Sequence, residues 1–330
     1  MKRKVPSHHI PPLPDDLDLS GKTAFVAGSN VGLGLECARH FLKLRLNKLI
    51  MAVRSKEKGE AAAAEIRSQF PDADVQVWTL DLESYQSIQA FAGRCEREAG
   101  RIDIAILNAA LTSMTHQLSQ HGSHREINIQ VNYLGTALLA LLLLPSLKPT
   151  AASDLPGRLT LISSDGALGI KIEDPPEDVS LLNTLDKPDN YDPFRQQFLS
   201  KLLLTMFCAK IADLVNPQEV IINCCNPGLS RGTELFRHVD TWPLRAGFSL
   251  LKASFSLPAA EAAKAYIYAS IVLGNESHGA FTDWRIRAWP AMMYTDVGHT
   301  VSSKLWDETM EELGFADPEA LLGMVQGHRS

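Results

Sequence analysis

The sequence predicts an α/β protein of the doubly wound type, in which one domain holds a parallel β-sheet with helices on both faces. Two observations lead to this fold class. Short apolar stretches of strand character alternate with stretches of helical character along most of the chain, as is typical of parallel sheets. In addition, the first apolar stretch ends in a glycine-rich turn that leads directly into a helix, the arrangement that holds a pyrophosphate.

The composition is that of a soluble globular protein. Of the 330 residues, 45% are hydrophobic and 21% are charged, and the formal net charge of −6 gives no reason to expect a nucleic-acid partner. Five cysteines without a secretory signal favour a reducing compartment, so we expect a cytoplasmic protein. The most apolar run, at 134–147, is shorter than the roughly 20 residues of a membrane span. We interpret it as a buried helix and expect no membrane span.

The glycine-rich turn lies between a first strand at 24–26 and a first helix at 35–44, and it has the spacing G-x-x-x-G-x-G. Glycine lets backbone N–H groups approach phosphate oxygens, and a helix N-terminus favours negative charge. The residues that we expect to bind a nucleotide here are Gly28, Asn30, Gly32, Leu33 and Gly34. Because glycine turns between a strand and a helix are common, this motif is weak evidence when taken alone.

The remaining strands and helices follow in alternation. Strands are predicted at 49–53, 75–79, 102–107, 158–163 and 220–225, with a short last strand at 280–282. Helices are predicted at 57–70, 84–99, 123–147, 193–214, 258–273 and 302–313. The fourth strand is almost entirely apolar, which is expected where helices cover both faces of a sheet.

The predicted domain covers residues 20–315. An extended, proline-rich arm precedes it at 1–19, and a tail follows at 316–330. Two stretches, at about 166–190 and 229–257, interrupt the alternation, and both follow the carboxyl ends of strands. Open α/β sheets bind ligands at that edge, so we interpret both stretches as flaps that face the substrate. Idle insertions are the alternative, although loops of this length are usually functional or disordered.

Polar residues follow three of the strands. Arg54 and Lys58 follow the second strand, where a basic residue accepts a 2′-phosphate and favours NADP over NAD; two solvated surface cations are the alternative. Asp81 and Leu82 follow the third strand, and the carboxylate can bind an adenine amino group or cap a helix instead. Asn108 ends the fourth strand, and the small residues after it let the backbone approach a ribose; a turn asparagine is the alternative.

In the order of its motifs the chain resembles the short-chain dehydrogenases/reductases, and within them a retinol-dehydrogenase-like branch of fungal natural-product pathways. The resemblance covers roughly residues 20–315. The motifs are the glycine loop with Ala27 where threonine is usual, Leu107-Asn108-Ala109-Ala110, Val131-Asn132-Tyr133-Leu134-Gly135, a serine pair ending in Ser164, and Pro227-Gly228. The resemblance implies a Rossmann-type fold, NADP(H) bound in part by Pro227 and Gly228, and catalytic roles for Asn132, Ser164 and Lys201.

One position departs from the family pattern. The family carries Tyr-x-x-x-Lys, in which the tyrosine transfers a proton and the lysine lowers its pKa and holds the nicotinamide ribose. Lys201 is present, but Gln197 stands four residues before it. A primary amide hydrogen-bonds a carbonyl without donating a proton at neutral pH, and losing a general acid costs about 10²- to 10⁴-fold in rate. We therefore expect poor reduction of ordinary ketones.

Two other residues bear on the missing proton donor. Asp165, next to Ser164, is a candidate acid or a partner for a cationic substrate, and a turn carboxylate is the alternative. Tyr191 lies six residues before Gln197, which is about 120° away around a helix, and Pro193 intervenes. Tyr191 therefore cannot simply replace the family tyrosine.

These observations leave more than one function open. The first is an NADP(H)-dependent oxidoreductase that acts on a bulky apolar small molecule in secondary-metabolite biosynthesis; hydride delivery to an iminium or an activated enone would need no proton at this site. The alternatives are a non-redox cyclase or isomerase, or a catalytically silent family member. No zinc-type histidine spacing is present, so no metal is expected. The resemblance also implies a homodimer or homotetramer paired through the helices at 123–147 and 193–214.

Overall fold

The structure is a computed structural model, and it describes residues 10–121, 123–150, 155–173, 176, 178–231 and 256–326. Its strands are β1 (Thr23–Ala27), β2 (Lys48–Val53), β3 (Asp74–Thr79), β4 (Ile104–Leu107), β5 (Gly157–Ile162), β6 (Val220–Cys225), β7 (Ser230–Arg231), β8 (Leu257–Pro258), β9 (Phe281–Thr282) and β10 (Ile286–Arg287). Eight of them form one sheet in the order β10-β9-β6-β5-β4-β1-β2-β3. All neighbours are parallel except β9 and β10, which confirms the predicted parallel sheet.

Helices cover both faces of this sheet. They are α1 (Gly32–Lys43), α2 (Lys56–Gln69), α3 (Tyr85–Arg94), α4 (Gly135–Leu147), α5 (Leu181–Leu185), α6 (Pro193–Leu214), α7 (Ala259–Ala262), α8 (Lys264–Ile267), α9 (Asp296–Glu312) and α10 (Pro318–Gly323). One apolar cluster lies between the sheet and α3, α4 and α6, and a second lies on the opposite face with α1, α2 and α8. Because both faces are covered, all four residues of β4 are buried. The predicted doubly wound α/β fold is thereby confirmed.

The most apolar helix is a core element. A π-helical turn at Ile129–Leu134 leads into α4, and together they are long and apolar enough to cross a membrane. However, 89% of the most apolar window is buried inside the protein, as predicted for a buried helix. The approach of this helix to the turn after β3 requires a glycine, because a Cβ on Gly135 would lie 2.1 Å from the carbonyl oxygen of Leu82.

Helix formation at 123–147 begins later than the sequence predicts. Residues 127 onward are helical, whereas Glu126 pairs with Leu118 in an isolated antiparallel bridge. The Glu126 carboxylate accepts hydrogen bonds from the backbone N–H groups of Asn128 and Ile129. It therefore satisfies the free donors at the start of the helix, as an N-terminal cap does, and it fixes the helix boundary there.

Part of the first predicted flap, at 166–190, is helical. The stretch at 166–190 includes most of a 3₁₀ turn, Asp165–Gly169, and all of α5. Glu308 on α9 accepts hydrogen bonds from the backbone N–H groups of Leu181 and Leu182 and from the Ser180 hydroxyl. The described part of this stretch is therefore anchored to α9, and the prediction of a plain loop there was wrong.

The second predicted flap, at 229–257, lies largely outside the described residues. Its two ends are described, and they meet where β7 pairs with β8 in parallel. Both ends of the stretch therefore lie together, a few residues after β6.

The C-terminal part contains more structure than predicted. Helix α9 begins at Asp296 rather than residue 302, because Thr295 caps it by accepting a hydrogen bond from the Gly298 N–H. The predicted helix at 258–273 is divided into α7, α8 and a π-helical turn at Tyr268–Val272.

Leu322 and Val325, within the predicted tail, are buried in the core. At the other end of the chain Ile10 and Leu19 of the predicted arm are also buried.

We expect Gly135→Ala to lower the free energy of unfolding by about 1–3 kcal/mol, since the new methyl group would press against backbone atoms that cannot move aside. Gly93→Ala on α3 is the matched control, because the added Cβ would approach only the flexible end of Arg97, at 3.1 Å. It should be neutral or stabilise by up to about 1 kcal/mol. Urea unfolding of both variants checks this, and equal stabilities would contradict the tight approach.

Candidate functional site

The candidate site lies at the carboxyl edge of the parallel sheet. Neighbouring strands β1 and β4 are separated widely in sequence, so their connections leave on opposite sides and open a crevice between them. The loops after β1, β4, β5 and β6 border this crevice, together with the first turns of α6 and the π-helical turn before α4. This edge is where the sequence predicts ligand binding.

The glycine loop after β1 is held by close backbone contacts. Gly28 and Gly32 have positive φ angles of 71° and 59°, and a Cβ on Gly34 would lie 2.4 Å from the Gly28 carbonyl oxygen. Asn108 donates from Nδ2 to the carbonyl oxygens of Ala27 and Gly28, at 3.0 and 3.2 Å. Asn108 therefore braces β1 against β4 through its side chain.

The same loop fits a phosphate group. Helix α1 starts at Gly32, no side chain caps its N-terminus, and its first turn holds no acidic residue. The hydroxyl of Ser29 is completely buried and has no hydrogen-bond partner among the described residues. Half-buried Asn30 and Leu33 belong to the same turn. Free backbone donors at a helix N-terminus attract anions, so this loop matches the requirements of a diphosphate.

The residues predicted to bind the adenosine half lie after β2 and β3. Arg54 and Lys58 are exposed, and neither forms an ion pair within the part of the chain that the structure describes. Asp81 accepts a hydrogen bond from the Glu83 N–H at 3.0 Å, which holds the turn before α3. Leu82 is buried and packs through its carbonyl against α4.

Asn132 is the centre of a buried hydrogen-bond network. It lies in the π-helical turn before α4 and has no exposed surface. Its Oδ1 accepts from the Leu111 N–H at 2.8 Å, and its Nδ2 donates to the Leu111 carbonyl at 2.9 Å. The same Nδ2 lies 2.7 Å from Oε1 of Gln197 and 3.0 Å from the Ser200 hydroxyl. Asn132 thus connects the loop after β4 with the first turns of α6.

Lys201 is buried one turn after Gln197. Its ammonium group donates to the carbonyl oxygen of Ile162 at 2.7 Å, at the end of β5. Burial lowers the pKa of this lysine to about 8, while the nearby Cys224 thiol acts weakly in the opposite direction. No carboxylate pairs with Lys201 among the described residues, so its charge is available to a ligand at the crevice.

The two serines after β5 differ in burial: Ser163 lies in the core, and Ser164 lies at the sheet edge. The Ser163 hydroxyl is buried and pairs with that of Thr205 at 2.8 Å. Ser164 is half-buried, and its hydroxyl oxygen accepts from the Gly166 N–H at 3.2 Å. This arrangement places the predicted serine, Ser164, at the start of the 3₁₀ turn that packs against α6.

Asp165 is held as a turn carboxylate. Its N–H donates to Oδ1 of Asn226 at 3.0 Å, and its carboxylate accepts from Nδ2 of the same residue at 2.5 Å. Asn226 also accepts from the Gly228 N–H at 3.0 Å. This contact joins the loops after β5 and β6, and it matches the turn alternative for Asp165.

A crevice beside Pro227 and Gly228 contains residues that sequence reasoning did not identify. It is lined by Ile10, Asp165, Asn226, Pro227, Gly228, Leu257, Ala265, Asp283, Trp284, Arg285 and Arg287. Residues 283–287 follow the carboxyl end of β9, so the rule that identified the other loops could have identified them. Ile10 could not be identified in this way, because only the packing of the N-terminal arm against the domain places it at the crevice.

Neither cysteines nor acidic clusters suggest a second site. All five cysteines are free and buried. In the ranges that the structure describes, no three histidine, cysteine, aspartate or glutamate side chains group as a metal site would require.

Tyr191 is held in a hydrogen-bond network with Ser113, Glu126 and Asn128. Its hydroxyl oxygen accepts from Nδ2 of Asn128 at 2.9 Å, and its single hydrogen is shared between the Ser113 carbonyl at 3.0 Å and the Glu126 carboxylate at 3.3 Å. Burial and the charge of Glu126 both raise the pKa of this phenol. Tyr191 is therefore a structural group that secures the loop after β4.

We expect Tyr191→Phe to lower the free energy of unfolding by about 1–3 kcal/mol, because Glu126 and Asn128 lose a buried partner. The same change at Tyr294, whose side chain is exposed, should stay within about 0.5 kcal/mol. Guanidinium unfolding measures both. A variant at Tyr191 as stable as the wild type would show that this network does not hold the phenol.

The buried lysine should make stability depend on pH. Between its folded pKa of about 8 and its ordinary value of 10.5, the unfolded chain binds more protons than the folded one, so stability rises with pH. Relative to Lys201→Met, the wild type should gain about 3 kcal/mol between pH 7 and pH 10.5. Lys43→Met, at an exposed lysine, is the control and should give no trend. A flat difference for Lys201→Met would mean that the ammonium is solvated.

Comparison with known proteins agrees with this architecture. The sequence model described as short chain dehydrogenase matches residues 22–170. A short chain dehydrogenase/reductase of Annulohypoxylon moriforme is 40% identical over 317 residues, which cover 96% of this chain and 91% of that protein. A short chain dehydrogenase of Hypocrea virens is 41% identical over 309 residues, which cover 92% and 88%.

A solved structure shows the same fold. The L-sorbose reductase of Gluconobacter frateurii, crystallised with NADPH and L-sorbose, superposes with a TM-score of 0.61 at 20% identity and covers 82% of this chain and 98% of its own. Members of the matched family are generally oxidoreductases. Since the two fungal relatives match over nearly their whole length, this chain belongs to the short-chain dehydrogenase/reductase family.

Proposed function

We propose that this protein is an NADP(H)-dependent oxidoreductase that acts on a bulky apolar small molecule without a phenol as proton donor. The observation that carries the proposal is the glycine loop, where an uncapped α1 and the orphaned hydroxyl of Ser29 match a diphosphate. The loop lies at the same sheet edge as Ser164 and Lys201. The NADPH bound by the L-sorbose reductase supports a nicotinamide cofactor by fold analogy alone.

The chain offers a complete set of groups for such a cofactor. Gly28 to Gly34 would hold the diphosphate, and Arg54 and Lys58 would hold a 2′-phosphate. Asp81, Leu82, Asn108, Pro227 and Gly228 would border the adenine, ribose and nicotinamide, and Lys201 would hold the nicotinamide ribose. When bound, the reduced cofactor supplies a hydride. Ser164 and Gln197 orient the reacting group, and Asn132 fixes Gln197.

The described crevice supports an apolar substrate. Ile10, Leu257, Ala265 and Trp284 give it apolar walls next to Pro227. The stretch at 229–257 returns to the domain here and is proposed as a flap over the substrate. A role in secondary metabolism, with the retinol-dehydrogenase-like branch as the subgroup, is proposed from the family resemblance of the sequence.

Location and assembly are proposals as well. We propose a cytoplasmic protein and a homodimer or homotetramer paired through the long helices. The apolar residues 138–144 are almost completely buried within the single chain, so burial alone accounts for them. The proposed pairing therefore rests on the family resemblance.

The substitution of the family tyrosine by Gln197 also favours a second candidate, a non-redox cyclase or isomerase. Purified protein is first titrated with NADPH by fluorescence, and candidate substrate is then added while the absorbance of reduced nicotinamide is followed. NADPH binding with oxidation supports the proposed reductase. Product without cofactor consumption supports the second candidate, and neither binding nor turnover indicates a catalytically silent member.

Replacing the two exposed cations after β2 should weaken NADPH binding selectively. We expect Arg54→Ala and Lys58→Ala each to raise the Kd for NADPH by about 10- to 100-fold, because each removes a charge-assisted contact to phosphate. The Kd for NADH should change little. Lys56→Ala removes an exposed positive charge next to the same turn and should leave both values unchanged. Equal effects on NADPH and NADH would refute a 2′-phosphate site here.

A further inference from the structure

The backbone of the loop after β4 determines the orientation of Asn132. Asn132 Oδ1 accepts from the N–H of Leu111, and Nδ2 donates to the carbonyl of the same residue. A backbone N–H can only donate and a carbonyl can only accept. The side-chain amide therefore has a single orientation, in which Nδ2 faces α6.

The orientation of Asn132 in turn determines the orientation of the Gln197 amide. Its amide atom 2.7 Å from Nδ2 of Asn132 must be an acceptor, which is Oε1; the reverse orientation would bring two NH₂ groups together. The Nδ2 hydrogen that faces α6 is shared with the Ser200 hydroxyl oxygen at 3.0 Å, and Ser200 donates to the Gln197 backbone carbonyl at 2.7 Å, which closes the network. Nε2 of Gln197 is left with no acceptor among the described residues, and the side chain is nearly buried, with 1% of its surface exposed.

Ser164 supplies a second donor at the same edge. Its hydroxyl oxygen already accepts from the Gly166 N–H, and its own hydrogen has no acceptor in the described part of the chain. The 3₁₀ turn that Ser164 caps packs against α6, where a Cβ on Gly166 would collide with the ring of Phe198, the residue after Gln197. The two free donors are thus held on packed elements, and neither group releases a proton at neutral pH.

We propose that Gln197 and Ser164 form an oxyanion-binding pair, that Asn132 is the positioning residue that fixes the donor end of Gln197, and that the substrates are α,β-unsaturated ketones reduced at the carbon–carbon double bond. This inference rests on the proposed NADP(H)-dependent reduction and names its substrate class. Donors that bind an anionic oxygen without protonating it suit an enolate, whose charge is delocalised. An alkoxide from ordinary ketone reduction is far more basic and requires a proton donor.

Reduction of the carbon–carbon double bond needs no proton from a phenol. A hydride from the reduced nicotinamide adds to the β-carbon, the π electrons of the double bond move toward oxygen, and an enolate forms. The N–H of Gln197 and the O–H of Ser164 hydrogen-bond its oxygen. A proton from water then adds to the α-carbon, which gives the saturated ketone and the oxidised nicotinamide. Removing one such donor typically costs about 10²- to 10³-fold in kcat.

The first test measures anion binding apart from turnover. Protein saturated with NADP⁺ is titrated with para-nitrophenol, and the absorbance of the phenolate reports ionisation of the bound probe. We expect the phenolate to bind at least about tenfold more tightly than the phenol. Lys201 also favours the phenolate, so Gln197→Leu, which keeps Lys201, isolates the contribution of the amide and should reduce the preference. No phenolate preference in the wild type, or an unchanged one in Gln197→Leu, overturns the inference.

Asn132→Asp tests the positioning role. A carboxylate facing Gln197 would turn its amide so that Oε1 becomes the free end, and the preference for phenolate should fall at least as far as in Gln197→Leu although Gln197 remains. Gln196→Leu is the matched control, since Gln196 donates to Glu126 and to the Leu185 carbonyl instead. It should keep the preference. If Asn132→Asp does not fold, Gln197→Leu alone decides.

The second test locates the hydride. Benzylideneacetone is supplied with NADPH deuterated at the transferred position, and the product is analysed by mass spectrometry and NMR. Benzylacetone with deuterium on the β-carbon supports the inference. An allylic alcohol labelled at the carbinol carbon, or no conversion, contradicts it. The prior NADPH titration separates the two proposals: if NADPH does not bind, the proposed function fails as well, whereas binding without β-reduction refutes only the enone inference.

Discussion

The hydrogen bonds between the Leu111 backbone and Asn132 are the constraint on which the site depends. An amide without exposed surface costs several kcal/mol, on the order of 2–7, unless its polar atoms are paired, and here each one is paired at 2.7–3.0 Å. A network paired in this way has one arrangement, because any rotation leaves a donor against a donor. The π-helical turn at Ile129–Leu134 is the local irregularity in the helix where Asn132 lies, and such turns are frequent at functional sites.

A second buried network supports the same loop from its far end. The Glu126 carboxylate has no exposed surface and accepts from Asn128, Ile129, Tyr191 and Gln196. Asn128 in turn accepts from the N–H of Ser113 at 3.2 Å. The loop after β4 is thus tied at Leu111 and at Ser113, two residues apart. The phenol of Tyr191 is thus part of the scaffold that holds this loop.

Most of the fold could be predicted from the sequence, because hydrophobic periodicity and the residue types at strand ends depend on the local sequence. Helix α6 and strand β6 have their predicted bounds, since Pro193 marks the start of one and three apolar β-branched residues begin the other. The late start of the helix after Glu126 could not be predicted, because a distant strand-like contact and a carboxylate cap determine it. Nor could the roles of Asn108 and Asp165: either residue type fits a ligand or a turn, and only the tertiary partners, Ala27 and Asn226, show the contacts made.

The neighbours of Gln197 determine which end of its side-chain amide is free to contact a ligand. Had the amide been free to rotate, it could present an acceptor or a donor, and no chemistry would follow from its identity. Asn132 removes that freedom, while Lys201, buried without a carboxylate partner, keeps positive potential at the crevice. Both features favour negative charge on a bound oxygen. A site of this kind suits a reaction whose anion is stabilised by delocalisation, which is why we propose hydride transfer to an enone rather than to an ordinary ketone.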